Sequence, residues 1–158
     1  MRSENQQQAE YCMRAAGQTV STAPRVPTAS ERELRCKLVL EEAFELCEAM
    51  GVTVFSASGV RINPTKHNQL EIMATDCGVD WAEAVDACCD LNVVSAGTMS
   101  CLGADDVPHM TEVNRANRDK FPNGKATLRA DGKFLKPEGW RGPDHMKLIS
   151  SLCGPGAP

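Results

Sequence analysis

The stretch Ser30-Glu31-Arg32-Glu33-Leu34-Arg35-Cys36-Lys37-Leu38-Val39-Leu40-Glu41-Glu42-Ala43-Phe44-Glu45-Leu46-Cys47-Glu48-Ala49-Met50-Gly51 decides how this chain folds. Ser30 with Glu33 has the form of a capping box, and Gly51 supplies a stop, so the stretch predicts one long helix ending at Met50. Within it Cys36, Leu40, Ala43, Phe44, Cys47 and Met50 recur at helical spacing and predict an apolar stripe turned to a core. Glu41, Glu42 and Glu45 border that stripe instead of opposing it, and residues three and four apart share a face.

A second long helix is expected after Asp80 as N-cap and before Gly103, with Ala84, Ala87, Cys88, Leu91, Val94, Thr98 and Leu102 inward. Its stripe consists mostly of small residues, which let neighbouring helices approach closely and predict a central position in a bundle. Glu83, Asp86 and Asp90 fall in a narrow sector beside it. Outside this pair, residues 4–16 predict a polar first helix closed by Gly17, and residues 18–28, with Pro24 and Pro27, an extended connector. Residues 106–120, with Pro108 in the first turn, predict a third helix ended by Pro122-Asn123-Gly124. Thr127 to Leu135 around Asp131-Gly132 carry a hairpin signal, and residues 144–152 a short helix. Residues 52–79 read as a variable insert: strand character at Val52 to Phe55, a break at Asn63-Pro64, and a helical turn over residues 69–74. The expectation is an all-α chain, a helical bundle of four to five helices with a small C-terminal hairpin or loop segment, forming one domain over residues 1–158.

The chain has 158 residues, and its 17 Lys+Arg against 21 Asp+Glu give a net charge of -4. No basic stripe is interleaved with aromatics, which speaks against a nucleic-acid partner. The first residues lack an apolar signal region, and no apolar run approaches the roughly 18 residues of a membrane span. A cytoplasmic protein with no membrane partner is expected. Eight cysteines occur with three histidines and no Cys-x-x-Cys, so they read as reduced core thiols and not as disulfides or zinc ligands.

Carboxylates facing one another across two helices make a hard, oxygen-only site suited to Mg²⁺ or Mn²⁺ acting on phosphates. Glu-Glu-x-x-Glu is equally at home on a solvated helix face, and the physics of the residues alone leaves both readings open.

The run Asp90-Leu91-Asn92-Val93-Val94-Ser95-Ala96-Gly97-Thr98, followed by Leu102-Gly103, resembles the Asp-Leu-x-Tyr-Val-x-x-Gly-Thr-x-x-x-Leu-Gly helix of the MazG-like all-α nucleoside triphosphate pyrophosphohydrolases. That superfamily includes dimeric dUTPases and phosphoribosyl-ATP pyrophosphohydrolases. Glu112-Val113-Asn114-Arg115-Ala116-Asn117-Arg118-Asp119-Lys120 is similar to its Glu-Val-His-Arg-Ala/Ser-Asn-Met-x-Lys, with Asn114 in place of the frequent His. The segment from Arg129 through Lys133, Lys136 and Trp140 to Asp144 resembles the closing segment of its phosphoribosyl-ATP pyrophosphohydrolase-like and dUTPase-like branch. One departure stands out: where the pattern has Glu three residues before the last acidic ligand, this chain has Ala87, leaving Asp86 or Glu83 as the substitute.

The resemblance implies metal-dependent hydrolysis of a (deoxy)nucleoside triphosphate, dUTP or another dNTP such as dGTP, to monophosphate and pyrophosphate. It implies Glu41, Glu42 and Glu45 as catalytic residues and Glu42, Glu45, Asp86 and Asp90 as ligands of Mg²⁺ or Mn²⁺. Arg115, Asn117, Lys120, Lys133 and Lys136 would meet the substrate, and the protein would be a homodimer or homotetramer. Trp140 is expected to pack the closing segment onto the bundle, and Trp81 to sit in the core or an interface. The alternatives are a phosphoribosyl-ATP pyrophosphohydrolase and a non-catalytic helical oligomer.

Overall fold

The computed structural model describes residues 1–56, 70–74, 78–125, 127–128 and 134–152. Its helices are α1 (Glu4–Ala15), α2 (Ala29–Ala49), α3 (Trp81–Leu102), α4 (Asp106–Arg118) and α5 (His145–Leu152), with strands β1 (Val52–Ser56) and β2 (Leu70–Ala74) between α2 and α3. The chain is all-α in class, and it divides into two compact units, Met1–Pro27 with Met99–Pro158, and Thr28–Thr98.

In the first unit, α1 starts where the Ser3 side chain accepts the Gln6 N–H, and after its last residue Ala15 the chain turns at Gly17 (φ 69), where the Gln18 N–H reaches the Met13 carbonyl at 2.8 Å. The inward face of α1 carries Gln6, Ala9, Glu10 and Met13. Its two polar members are satisfied, as buried polar groups must be. Gln6 Nε2 donates to Ser100 Oγ (3.0 Å) and the Ala104 carbonyl (2.7 Å), and Gln6 Oε1 accepts the Asp106 N–H (2.8 Å). Ser100 Oγ donates to Glu10 Oε1 (2.9 Å), which also pairs with Arg2. A polar core thus ties α1 to the junction of α3 and α4. The connector after α1 is held by Ser21 N–H on the Ser100 carbonyl (2.9 Å) and Arg25 N–H on the Leu102 carbonyl (3.1 Å). It passes so close to Gly103 (φ 76) that a Cβ there would lie 1.9 Å from the Ala23 oxygen.

In the second unit, α2 ends one residue before its expected limit, at Ala49, with Gly51 at φ 64. Its capping box is Thr28 with Glu31, not Ser30 with Glu33. Both pairs satisfy the motif, and the earlier one prevails because the extended connector already ends at Pro27. Asp80 caps α3 as expected, accepting the Glu83 N–H at 3.2 Å, and α3 ends at Leu102. Residues 70–74, expected as part of a helical turn, instead form a strand paired antiparallel with β1, with Val54 opposite Ile72.

The expected core stripes are only partly buried. Of the expected inward residues Ala84 and Ala87 are buried, but Cys36, Met50, Cys88 and Leu102 are exposed and Leu40 and Phe44 are 55% and 52% exposed; the buried alanines Ala49 and Ala96 lie outside the expected stripes. Trp81 is 78% exposed, which excludes the core position. The six described cysteines are free thiols, but Cys101 is the one that is buried; Cys12, Cys36, Cys88 and Cys89 lie at the surface. A small thiol fits a helix surface as readily as a core, so periodicity could not place them. Cys77, Cys153, Asn63-Pro64 and the Asp131-Gly132 turn lie outside the described residues. The flanks of that turn pair as expected: Leu128 bridges Phe134, and the Leu135 N–H reaches the Thr127 carbonyl at 2.8 Å.

Candidate active site

Glu42 is the focus of the acidic sectors in the second unit. It is half-buried, and its Oε2 is shut off from solvent without a hydrogen-bond partner. Burial pushes its carboxyl above the usual range, reinforced in order by the negative charges of Glu45, Asp90, Glu41 and Asp86. The acidic sectors of α2 and α3 therefore act on one point, and Asp86 contributes to it while Glu83 is not among the charges that do. Ala87 is buried and Asp86 lies one residue back on the exposed side. Glu41 leans to Lys37 at 3.5 Å, and Glu45 is exposed. As placed, no three Asp, Glu, His or Cys side chains among the described residues converge into a metal cage. Like-charged carboxylates gain by turning apart toward water, which accounts for that spread. The orphaned Glu42 oxygen within a field of four other carboxylates fits a hard divalent cation, which takes oxygen ligands and offsets their repulsion.

The expected phosphate-binding residues belong to the first unit. Arg115 is occupied: Nε and Nη2 grip Glu112 at 2.9 and 2.7 Å, Nη1 meets Asp119 at 2.6 Å, and Nη2 also donates to the Gly142 carbonyl at 3.2 Å. That leaves all but one of its N–H donors engaged. The pair is mutually reinforcing. The Arg115 hydrogen bonds, with the Asp144 N–H second, hold the Glu112 carboxyl down at about 2, and Glu112 holds the guanidinium above its ordinary value. Arg115 thereby acts as a strut between α4 and the segment before α5. Lys120 Nζ donates to Asn117 Oδ1 at 2.9 Å and stands 5.5 Å from the Trp140 ring centre; Lys136 stands 4.4 Å from the same ring. Trp140 Nε1 donates to the Ala116 carbonyl at 2.7 Å, so this residue does pin the closing segment to α4. Lys133 lies outside the described residues.

The sequence reading missed a pair on α4 and α5. His109 and His145 share a 3.0 Å hydrogen bond between their Nδ1 atoms, beside a cavity of about 310 Å³ lined by Met99, Leu102, Met146 and Ile149. Isolated histidines far apart in sequence carried no spacing signal.

The model of the phosphoribosyl-ATP pyrophosphohydrolase family matches residues 10–117, and the chain belongs to that family, within the MazG-like all-α superfamily. The match takes in both acidic helices as well as Arg115 and Asn117; Lys120 and Lys136 lie beyond it. Comparison with curated proteins gives no match. Membership makes the chain a pyrophosphohydrolase acting on a nucleotide, in a family whose enzymes typically use divalent metal ions. No helix among the described residues is long and apolar enough to cross a membrane.

Proposed function

We propose that the chain hydrolyses a (deoxy)nucleoside triphosphate to monophosphate and pyrophosphate with Mg²⁺ or Mn²⁺ held by Glu42, Glu45, Asp86 and Asp90. The observation that carries this reading is the buried, unpartnered Glu42 oxygen on which carboxylates of α2 and α3 act together. A divalent ion there would polarise phosphate oxygens and make water a stronger nucleophile near neutral pH. Glu42 anchors the site from its half-buried position, and Glu41 and Glu45, on the same helix, orient water and take its proton. The water oxygen bonds to phosphorus, the bond to the bridging oxygen breaks, and pyrophosphate leaves. Lys120, Lys136 and Asn117 neutralise and position phosphate oxygens. Arg115 serves that end through the closing segment that it braces. A homodimer or homotetramer is supported by the exposed Leu40 and Phe44 on α2, a stripe with the spacing of a packed face. A role in controlling the nucleotide pool follows from the reaction.

A second reading, phosphoribosyl-ATP as substrate, is favoured by the family match itself. Pyrophosphate release from dUTP, dCTP, dTTP, dATP, dGTP, the ribonucleotides and phosphoribosyl-ATP separates the two, with metal or EDTA and beside Glu45→Gln. Turnover of a dNTP that needs metal and Glu45 supports the first reading; turnover of phosphoribosyl-ATP alone replaces it with the second.

A further inference from the structure

We propose that Trp140 is a positioning residue that gathers the ammoniums of Lys120 and Lys136 on one indole ring and so builds a two-cation seat for an oligophosphate chain. The inference rests on the pyrophosphohydrolase reading and adds to it the part of the substrate that this corner of the first unit recognises.

The construction is visible from the turn upward. Pro137-Glu138-Gly139-Trp140 closes with the Trp140 N–H on the Pro137 carbonyl at 3.1 Å, and Gly139 takes the positive φ of 74° that the third residue of such a turn needs. The ring is then fixed from its other end by Nε1 on the Ala116 carbonyl, 2.7 Å away. Downstream, the Gly142 carbonyl is held by Arg115 and the Asp144 N–H by Glu112. A platform tied at both ends costs little further ordering when a ligand arrives.

Two like charges then approach this platform from different elements, Lys120 after α4 and Lys136 from the closing segment, to 5.5 and 4.4 Å of the ring centre. The negative face of the indole attracts each, and it offsets part of their mutual repulsion. Neither ammonium has an ion-pair partner among the described residues, and Lys120 is further oriented by Asn117 Oδ1. Two cations drawn to one fixed ring, neither ion-paired among the described residues, are matched by a ligand with several anionic oxygens, and a phosphoanhydride chain is such a ligand. A nucleoside or a lone base offers nothing to this seat.

The test is calorimetric titration of the full-length protein with inorganic tripolyphosphate at low salt in EDTA, which needs neither turnover nor the carboxylate site. Wild-type protein is expected to bind, and Lys120→Met with Lys136→Met to lose binding. Trp140→Leu should weaken it about five- to tenfold, the scale of two lost cation–π contacts. Trp140→Phe, which keeps an aromatic face, should restore most of the affinity, an outcome that a purely structural role would not produce; circular dichroism checks that each variant is folded. Absence of wild-type binding, or equal affinity of the Leu variant and wild type, overturns the proposal. Because hydrolysis plays no part in the readout, failure of the substrate panel leaves this result standing on its own, and the reverse.

Discussion

Replacing Gly103 by alanine tests the packing of the first unit at its tightest point. Two costs add. At φ 76 an alanine adopts the left-handed region, worth about 1–2 kcal/mol, part of which is recovered because the unfolded chain also loses freedom. The new Cβ would also sit 1.9 Å from the Ala23 oxygen and 2.3 Å from its carbonyl carbon, so the connector must retreat by more than an ångström. That retreat strains or opens the hydrogen bonds of Ser21 to Ser100 and of Arg25 to Leu102, each worth about 1 kcal/mol. The total is about 3 kcal/mol, or roughly 6–12 °C in Tm for a chain of this size. Gly17→Ala is the internal control: it has φ 69 but nothing within 4 Å, so it carries the conformational cost alone, about 1 kcal/mol and roughly 2–4 °C. Thermal unfolding of the two variants followed by circular dichroism gives the comparison. Equal melting temperatures for Gly103→Ala and Gly17→Ala would refute the close approach.

Saturating Mn²⁺ or Mg²⁺ should raise the Tm: at one hundred times Kd the stabilisation is about 2.7 kcal/mol, or roughly 5–11 °C by differential scanning fluorimetry, and EDTA should reverse it. His109 is held below its ordinary value of 6.5 by burial first and by the His145 charge second, against the pull of Asp105. Its neutral form belongs to the folded state, so the stability it contributes is present above pH 6.5 and is lost as pH falls below it; denaturant unfolding at pH 5 and pH 7.5 should show that loss, and His109→Gln should shrink the difference. Glu112, lowered to about 2, contributes stability above its unfolded value of 4.5 that is lost as pH falls toward 2. Glu112→Gln should accordingly loosen the segment around Gly142 and Asp144, seen as faster amide exchange there with little change in α1.

Most helix boundaries were legible because capping, glycine stops and the 3.6-residue period are local signals: α1, α3 and α4 begin at their expected residues and end within two of their expected limits. What failed depended on partners distant in sequence. Leu70 to Ala74 is a five-residue apolar run that fits a helical turn or a strand equally, and only β1 decides between them. The stripe of Leu40 and Phe44 was read correctly as apolar, but periodicity tells that a face wants cover and not what covers it. At the site, the spacing of Glu41, Glu42 and Glu45 showed a shared sector, whereas which one turns inward depends on the rotation of α2 against α3. Arg115 was read from motif order as meeting the substrate; its pairing with Glu112 and Asp119 sits at the local i,i+3 and i,i+4 spacing, and only its bond to the Gly142 carbonyl depends on a segment beyond the helix.

Mn²⁺ binding, followed by electron paramagnetic resonance of the free ion, tests the central claim most directly when wild-type protein is compared with Glu42→Gln, Asp86→Asn and Glu83→Gln. The account predicts that Glu42→Gln and Asp86→Asn lose the tight site, each by at least about tenfold in Kd, and that Glu83→Gln keeps it. Undiminished Mn²⁺ binding in Glu42→Gln would contradict the account.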